Sequence, residues 1–315
     1  MEHNLAMVFP GQGSQSVAML ADLAPNFNEV SETFDEASST LGYDLWALVH
    51  DGPKERLNLT QYTQPALLTA SIAIWRILQM RNFPQPNFVA GHSLGEYTAL
   101  VCAKALDFKD ALKLVTNRAE YMQSAVPEGE GGMAAIIGLD DEIVEQICTE
   151  VRTADEVLSP ANYNSVGQVV IAGHLLAIRR AIDIAKVKGA KLAMMIPVSV
   201  PSHCELMSPA AEKLAHDLQA VAFDKPEITV INNVSAIPYE DVDQIREGLK
   251  RQLYSPVQWV KTIQWMVQNG VHRVIECGPG KVLTGLNKRI NHELIGKTTA
   301  TFAEVKELLT QNIAD

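Results

Sequence analysis

The sequence has few cysteines and no apolar run long enough to cross a membrane. Its 315 residues include only four cysteines, Cys102, Cys148, Cys204 and Cys277, with no CxxC pair and no histidine cluster at metal-ligand spacing. This argues against a disulfide scaffold and a metal site, and it predicts reduced thiols in the cytoplasm. No stretch approaches the roughly 20 apolar residues of a bilayer span, and we expect no signal peptide at the N-terminus.

Basic charge is also scarce. There are 26 Lys and Arg residues against 37 Asp and Glu, for a formal net charge of −11 at pH 7. We therefore expect no general binding to nucleic acid or to a membrane surface, and any acidic partner must meet a local basic patch. The composition is otherwise 47% apolar and 6% aromatic, which is typical of a globular enzyme with a sizeable core.

The hydrophobic pattern changes twice along the chain. Up to about residue 126, short apolar runs alternate with amphipathic segments, as in βα units on a parallel sheet. Between 127 and 197 the pattern predicts the β-α-β-β-α-β order of a ferredoxin-like unit, and the α/β pattern then returns. We expect an α/β protein: 1–126 and 198–315 form a large parallel-sheet, hydrolase-like domain, and 127–197 form a small inserted ferredoxin-like α+β domain. Ligand sites favour the cleft between two such domains.

A serine lies between two glycines in "VAGHSLGEYTAL", residues 89–100. The stretch matches G-x-S-x-G between a predicted strand and a predicted helix, which is the context of a nucleophile elbow. A serine here can instead be an ordinary helix cap, because the bare motif is short. The sequence makes Ser93 a candidate nucleophile and leaves both interpretations open.

A serine nucleophile needs a base, and His203 is the best placed of the eight histidines. It lies in "PVSVPSHCELMSP", after a predicted strand and before a helix for which we expect Ser208 as cap and Pro209 as first residue. A histidine at the carboxyl end of a strand would lie on the edge where α/β sheets bind ligands. His92 adjoins the serine, but neighbours on a tight turn usually point apart, so a structural role is expected. Cys204 adjoins His203, but sequence neighbours make poor catalytic pairs, and no nucleophile elbow surrounds this cysteine.

Arg118 lies on or beside the apolar face of a helix that we expect to begin at Asp107. A buried guanidinium needs a partner, and its planar fork suits a carboxylate. That partner can be a structural acid or a free carboxylate of the substrate, and the pattern leaves both open. The glycine loop "PGQGSQ" (10–15) lacks the third glycine of a dinucleotide motif and could instead offer N–H groups to an oxyanion.

Together these stretches resemble the malonyl-CoA:acyl carrier protein transacylase family of bacterial type II fatty acid synthesis. The likeness extends along almost the whole chain. The matching stretches are "FPGQGSQ", "TQPALLTAS", "GHSLGEY", "MAAIIGL", "NSVGQVVIAG", "PVSVPSHCELM", "RQLYSPVQW" and "GPGKVLTGL".

The resemblance implies roles for the catalytic residues. Ser93 would be acylated and His203 would be its base, oriented by a main-chain carbonyl near Gln252 and not by a carboxylate, which would explain why the sequence shows no obvious triad acid. The backbone N–H groups of Gln12 and Leu94 would form the oxyanion hole. The reaction would be a ping-pong transfer through a malonyl-serine.

The resemblance also implies the substrate contacts. Arg118 would bind the malonyl carboxylate, with Gln12 and His92 nearby, and Asn162 and Gln168 would be polar groups of the cleft wall. Tolerance for bulkier malonyl groups stays open. We expect no cofactor beyond the two thioester partners, coenzyme A and acyl carrier protein.

Acyl carrier protein is acidic, so Lys281, Lys288 and Arg289 are the candidate carrier dock, although they can equally be solvated surface residues. We expect a monomer. The alternatives are an acyltransferase of a polyketide pathway, a serine esterase or thioesterase, and a non-catalytic carrier-binding module.

Overall fold

The computed structural model describes residues 5–198 and 200–311. Residues 1–4, 199 and 312–315, which fall within the predicted large domain, lie outside the described residues. The strands and helices are numbered in chain order. The strands form two sheets, one of five strands and one of four. No helix of the described residues has the length and apolar character that a membrane span requires.

The larger sheet is entirely parallel, with the strand order β7-β2-β1-β8-β9. Its strands are β1 (Leu5–Phe9), β2 (Phe88–Gly91), β7 (Thr229–Ile231), β8 (Arg273–Glu276) and β9 (Ile295–Thr298). Both faces of the central strand β1 are buried, because Met7 and Phe9 enter one apolar cluster while Ala6 and Val8 enter another. This is the pattern expected of a parallel sheet covered on both sides, and it confirms the predicted α/β class.

Thirteen α-helices are described. They are α1 (Asn28–Leu41), α2 (Leu45–Asp51), α3 (Lys54–Leu57), α4 (Thr60–Met80), α5 (Gly95–Cys102), α6 (Phe108–Ser124), α7 (Asp141–Val151), α8 (Leu175–Val187), α9 (Ser208–Ala220), α10 (Val242–Gln252), α11 (Trp259–Gln268), α12 (Val282–Ile290) and α13 (Phe302–Gln311). Helix α4 is apolar nearly all round and is buried among α1, α5 and α6, as its sequence predicts.

The smaller sheet is antiparallel, with the order β4-β5-β3-β6. Its strands are β3 (Gly131–Ile137), β4 (Leu158–Ser165), β5 (Gln168–His174) and β6 (Leu192–Met195). With α7 and α8 they give the predicted β-α-β-β-α-β order. Backbone hydrogen bonds of Val257 with Ala161 (2.9 Å) and Tyr163 (3.0 Å) attach β4 to the larger part of the protein. The two sheets therefore face a common cleft.

Two local expectations differ from the structure, and one strand was not expected. Strand β6 ends at Met195, so the following residues form a loop, and His203 lies in that loop rather than at the end of a strand. Ser208 is the first residue of α9, not its cap, because a short 3-10 turn over Glu205–Met207 precedes it. Strand β9 was not predicted.

Candidate active site

The sharp turn between β2 and α5 holds Ser93 in a left-handed conformation, with φ of 52°. The two flanking glycines make this turn possible. A Cβ on Gly91 would overlap the backbone of Gly95, and one on Gly95 would overlap the carbonyl group of Phe9. The strand and the helix thus approach more closely than any side chain allows, which is why the motif needs glycine at both positions.

Asn233, two residues after β7, secures the turn from the neighbouring strand. Its Oδ1 accepts a hydrogen bond from the Ser93 N–H (2.7 Å), and its Nδ2 donates to the Gly91 carbonyl (2.6 Å). The strained turn is therefore held at Ser93 and at Gly91 by one buried side chain. Asn233 was missed in the sequence. It could have been identified as a candidate site residue by its position just beyond β7, a strand that pairs with β2.

Ser93 and His203 are in hydrogen-bond contact. The Ser93 Oγ lies 2.8 Å from His203 Nε2, and His203 Nδ1 lies 2.7 Å from the main-chain oxygen of Gln252. With Nδ1 donating to that carbonyl, Nε2 carries the lone pair that faces the serine hydroxyl. The arrangement can remove the serine proton.

The C-terminal end of α10 provides the acceptor that orients the histidine, a role that a carboxylate has in a Ser-His-Asp triad. The last carbonyls of a helix lack partners within it and carry its partial negative charge. Here Gln252, the last residue of α10, accepts from the His203 ring, and Leu253 accepts from the His203 backbone N–H (2.9 Å). His203 is 3% exposed, and burial, followed by the Arg118 charge, lowers its pKa to about 3. The imidazole is thus neutral, as a base must be.

Arg118 projects from α6 into the same site and is 1% exposed. Its Nη1 donates to Gln64 Oε1 (2.8 Å), and its Nη2 donates to Gln252 Oε1 (2.9 Å) and Ser93 Oγ (3.1 Å). Its Nε has no hydrogen-bond partner. Within the described residues no carboxylate forms an ion pair with this guanidinium, so of the two interpretations left open by the sequence, the structural salt bridge is absent.

Gln64 was also missed in the sequence. It lies on α4, where it is 1% exposed, and holds Arg118 with an amide oxygen. Gln64 directly precedes the long apolar run of α4, and that position was the signal, because a buried amide requires a partner. We call Ser93, Gln64, Arg118, His203 and Gln252 the floor of the site.

The floor opens into a cavity of about 210 Å³ between the two sheets. Gln12 and Leu94 line it, and in the part of the chain that is described neither backbone N–H group donates to an acceptor. Both N–H groups are thus available to an oxyanion, and that of Leu94 lies at the start of α5, where the helix dipole favours negative charge.

The predicted wall residues separate into two groups. Asn162 and His92 line the cavity; the His92 ring bonds Asn164 Oδ1 (2.8 Å) and packs on Trp259. Gln168 is not among the lining residues, and its Oε1 accepts a hydrogen bond from Arg289 (2.7 Å). Asn164, which was not predicted, lies on the wall where Gln168 was expected.

Helix α12 forms one edge of the opening, and its Leu283 and Leu286 line the cavity. We call Lys281, Lys288 and Arg289, which are exposed on and beside this helix, the rim. Glu276 fixes the start of α12, because its carboxylate accepts from the Leu283 N–H (3.0 Å) and the Thr284 N–H (2.7 Å). The predicted carrier dock therefore lies next to the cavity.

Comparisons with known proteins identify the family of the chain. Residues 6–309 match the family model described as acyl transferase domain. The chain is 55% identical over 306 residues to the malonyl CoA-acyl carrier protein transacylase of Salmonella typhimurium, covering 97% of this chain and 99% of that one.

Two solved structures are also similar. An acyl carrier protein S-malonyltransferase from Vibrio cholerae matches with a TM-score of 0.95 and 55% identity, over 97% of this chain and 99% of the other. A malonyl-transacylase in complex with its type II PKS acyl-carrier protein matches with a TM-score of 0.96 and 52% identity, over 98% of this chain and 100% of the other.

Proposed function

The chain belongs to the acyl transferase domain family, and on that premise we propose that it transfers the malonyl group of malonyl-CoA to acyl carrier protein. The acceptor is the phosphopantetheine thiol of the carrier, and the product supplies fatty acid synthesis. The observation that carries the proposal is Arg118: a buried guanidinium, bonded only to neutral groups, lies beside a serine that contacts a neutral histidine.

The mechanism follows from these contacts. The malonyl carboxylate pairs with Arg118, and the thioester oxygen lies against the N–H groups of Gln12 and Leu94. Ser93 Oγ attacks the carbonyl carbon while His203 Nε2 takes the hydroxyl proton; the C–S bond breaks and the protonated thiol of coenzyme A leaves. The carrier thiol then attacks the malonyl-Ser93 ester, aided by the same base. No cofactor enters either step.

Selectivity for malonyl over acetyl follows from the same arginine. An acetyl group has no carboxylate, so it fills the cavity without pairing the guanidinium, and an unpaired buried charge is costly. Arg118 also donates to Ser93 Oγ in the free protein. A bound carboxylate competes for that donor.

A carrier from a polyketide pathway is the second candidate acceptor. It is favoured by one observation, the solved malonyl-transacylase that was captured with a type II PKS acyl-carrier protein. The chemistry at Ser93 is the same for both carriers, so the two candidates differ only in the surface that meets the rim.

The test is intact-protein mass after brief exposure to malonyl-CoA, for the wild type and Ser93→Ala, followed by addition of phosphopantetheinylated carrier. We expect one malonyl adduct that requires Ser93 and then moves to the carrier. Decay of the adduct to free malonate without transfer would instead identify a hydrolase. Absence of any adduct would favour a non-catalytic carrier-binding module.

A further inference from the structure

Glu96 is a buried carboxyl group directly behind the floor of the site. It is the second residue of α5 and is 0% exposed in a helix whose other residues are mostly apolar. Three donors point at it: the Tyr239 hydroxyl (2.7 Å), Gln252 Nε2 (2.5 Å) and the Asn233 N–H (3.2 Å). A carboxyl group that receives three hydrogen bonds fits the site as an ionised acceptor.

The Gln252 side chain connects this carboxylate to the floor. Its Nε2 donates to Glu96 Oε2 and to the Ser93 main-chain oxygen (2.9 Å), while its Oε1 accepts from Arg118 Nη2 (2.9 Å). A carboxamide can face Arg118 with either its oxygen or its nitrogen. Two acceptors on the nitrogen side, one of them the carboxylate, select the orientation in which the oxygen faces the guanidinium.

We propose that Glu96 is a positioning residue for acyl transfer, which acts through Gln252 to align Arg118 for the carboxylate of the acyl group. The inference rests on the proposed function and adds a residue that touches neither substrate nor reacting atoms. Replacing Glu96 by glutamine puts an amide where three donors converge. If its oxygen receives Tyr239 and Asn233, its NH₂ opposes Gln252 Nε2. The Gln252 carboxamide then turns, and its nitrogen opposes Arg118.

Protonation of Glu96 should have the same effect. Burial raises its pKa to about 7, against the lowering by its hydrogen bonds and by the Arg118 charge. The titratable groups that face it are Arg118 from α6, Tyr97 on its own helix and Tyr239 from the loop after β7. Since Arg118 and the tyrosines keep their charge states at neutral pH, the alignment should weaken as the pH falls through about 7.

The experiment compares wild type, Glu96→Gln and the matched variant Tyr239→Phe. Malonyl-CoA and acetyl-CoA are each mixed with the enzyme and quenched, and the growth of the Ser93 adduct is followed by intact mass. Tyr239→Phe removes one donor to Glu96 but keeps the Glu96–Gln252 bond. Above about pH 8, where the carboxylate is ionised, we expect Glu96→Gln to lower the malonyl-over-acetyl rate ratio about tenfold and Tyr239→Phe to change it less than threefold.

A double-mutant cycle separates positioning from general destabilisation. If Glu96 acts through Gln252, adding Glu96→Gln to Gln252→Ala leaves the ratio of the single Gln252→Ala variant unchanged. The proposal would be overturned if Glu96→Gln kept the malonyl-over-acetyl ratio of the wild type, or if Tyr239→Phe lowered that ratio equally. It would also be overturned if the double variant lost more of the ratio than Gln252→Ala alone.

The wild type alone supplies a test that needs no variant to fold. Its malonyl-over-acetyl ratio should fall as the pH is lowered from about 8 to about 6, and a ratio that rises instead would overturn the proposal. Failure of the wild type to form any malonyl adduct would instead overturn the proposed function, so the two failures are distinguishable.

Discussion

At the floor of the site Arg118 is 1% exposed and hydrogen-bonded to three groups that are themselves held, whereas at the rim Lys281 and Lys288 lie in solvent. Both regions carry positive charge, and the rim lies beside the cavity that the floor lines. In the floor the low effective dielectric makes each pairing strong and each mismatch expensive. At the rim, water and salt screen the same charges.

This difference assigns different tasks to the two regions. The floor can distinguish a malonyl group from an acetyl group by one carboxylate, because its buried polar groups cannot rearrange around an acyl group that lacks it. The rim can attract an acidic carrier to an otherwise acidic protein, but its contacts are individually weak. Changes in the floor should therefore act on chemistry and selectivity, and changes at the rim on the encounter with the carrier.

The largest effect should come from the base. We expect His203→Ala to slow malonyl adduct formation by about a thousandfold, since a positioned general base contributes ~10²–10⁴ in rate. His92→Ala is the matched control, because this histidine also lines the cavity but bonds Asn164 and not the serine. Single-turnover rates from quenched mass measurements compare them. Equal losses in both variants would contradict the assignment of His203.

The next effect concerns selectivity. Arg118→Ala should lower the malonyl-over-acetyl preference by about tenfold to a hundredfold, because a paired buried charge is worth ~1.5–3 kcal/mol. Arg118→Lys is the matched variant, since it keeps the charge but loses the planar fork that three acceptors hold. We expect it to recover only part of the preference. Steady-state kcat/KM for both thioesters measures the ratio, and an unchanged ratio in the alanine variant would refute the role.

Much of the fold could be predicted from the sequence because it depends on repeating patterns. The alternation of apolar runs with amphipathic segments predicted the parallel sheet and the inserted β-α-β-β-α-β unit. Strand β9 has no such pattern: it is the short edge stretch "IGKT", and Ile295 is exposed. Edge strands make few apolar contacts, so hydrophobic periodicity does not mark them.

The residues of the site likewise fall into those that a sequence pattern predicted and those that it did not. Motif spacing pointed to Ser93, and helical periodicity placed Arg118 near a buried face. Gln64, Glu96 and Asn233 hold those two residues, but each is one polar residue without a spacing partner. Their roles depend on which side chains meet across sequence separations of 54 to 156 residues, and single-sequence patterns do not encode those contacts.

A pH profile distinguishes two titratable groups, His203 in the floor and Glu96 behind it. Burial and the Arg118 charge lower the pKa of His203 to about 3, so the imidazole is neutral near neutral pH, while burial raises the pKa of Glu96 to about 7. We expect malonyl adduct formation by the wild type to decline below about pH 7 as Glu96 takes up a proton. In Glu96→Gln the decline should vanish, leaving a lower rate that is flat to about pH 5. A decline that persists in this variant would mean that His203 titrates there instead.

The smallest effect should come from the rim, where charge reversal tests whether the carrier docks on α12. Lys288→Glu combined with Arg289→Glu should raise the KM for the carrier by about threefold to tenfold at low salt and leave malonyl adduct formation unchanged. The increase should shrink as salt is added, because the charges are exposed. Arg289 also bonds Gln168 across the cleft, so Gln168→Ala is the control for a loss of that bond alone. If it raises the carrier KM equally, Arg289 acts by joining α12 to strand β5 of the smaller sheet, and the docking surface must lie elsewhere on the protein.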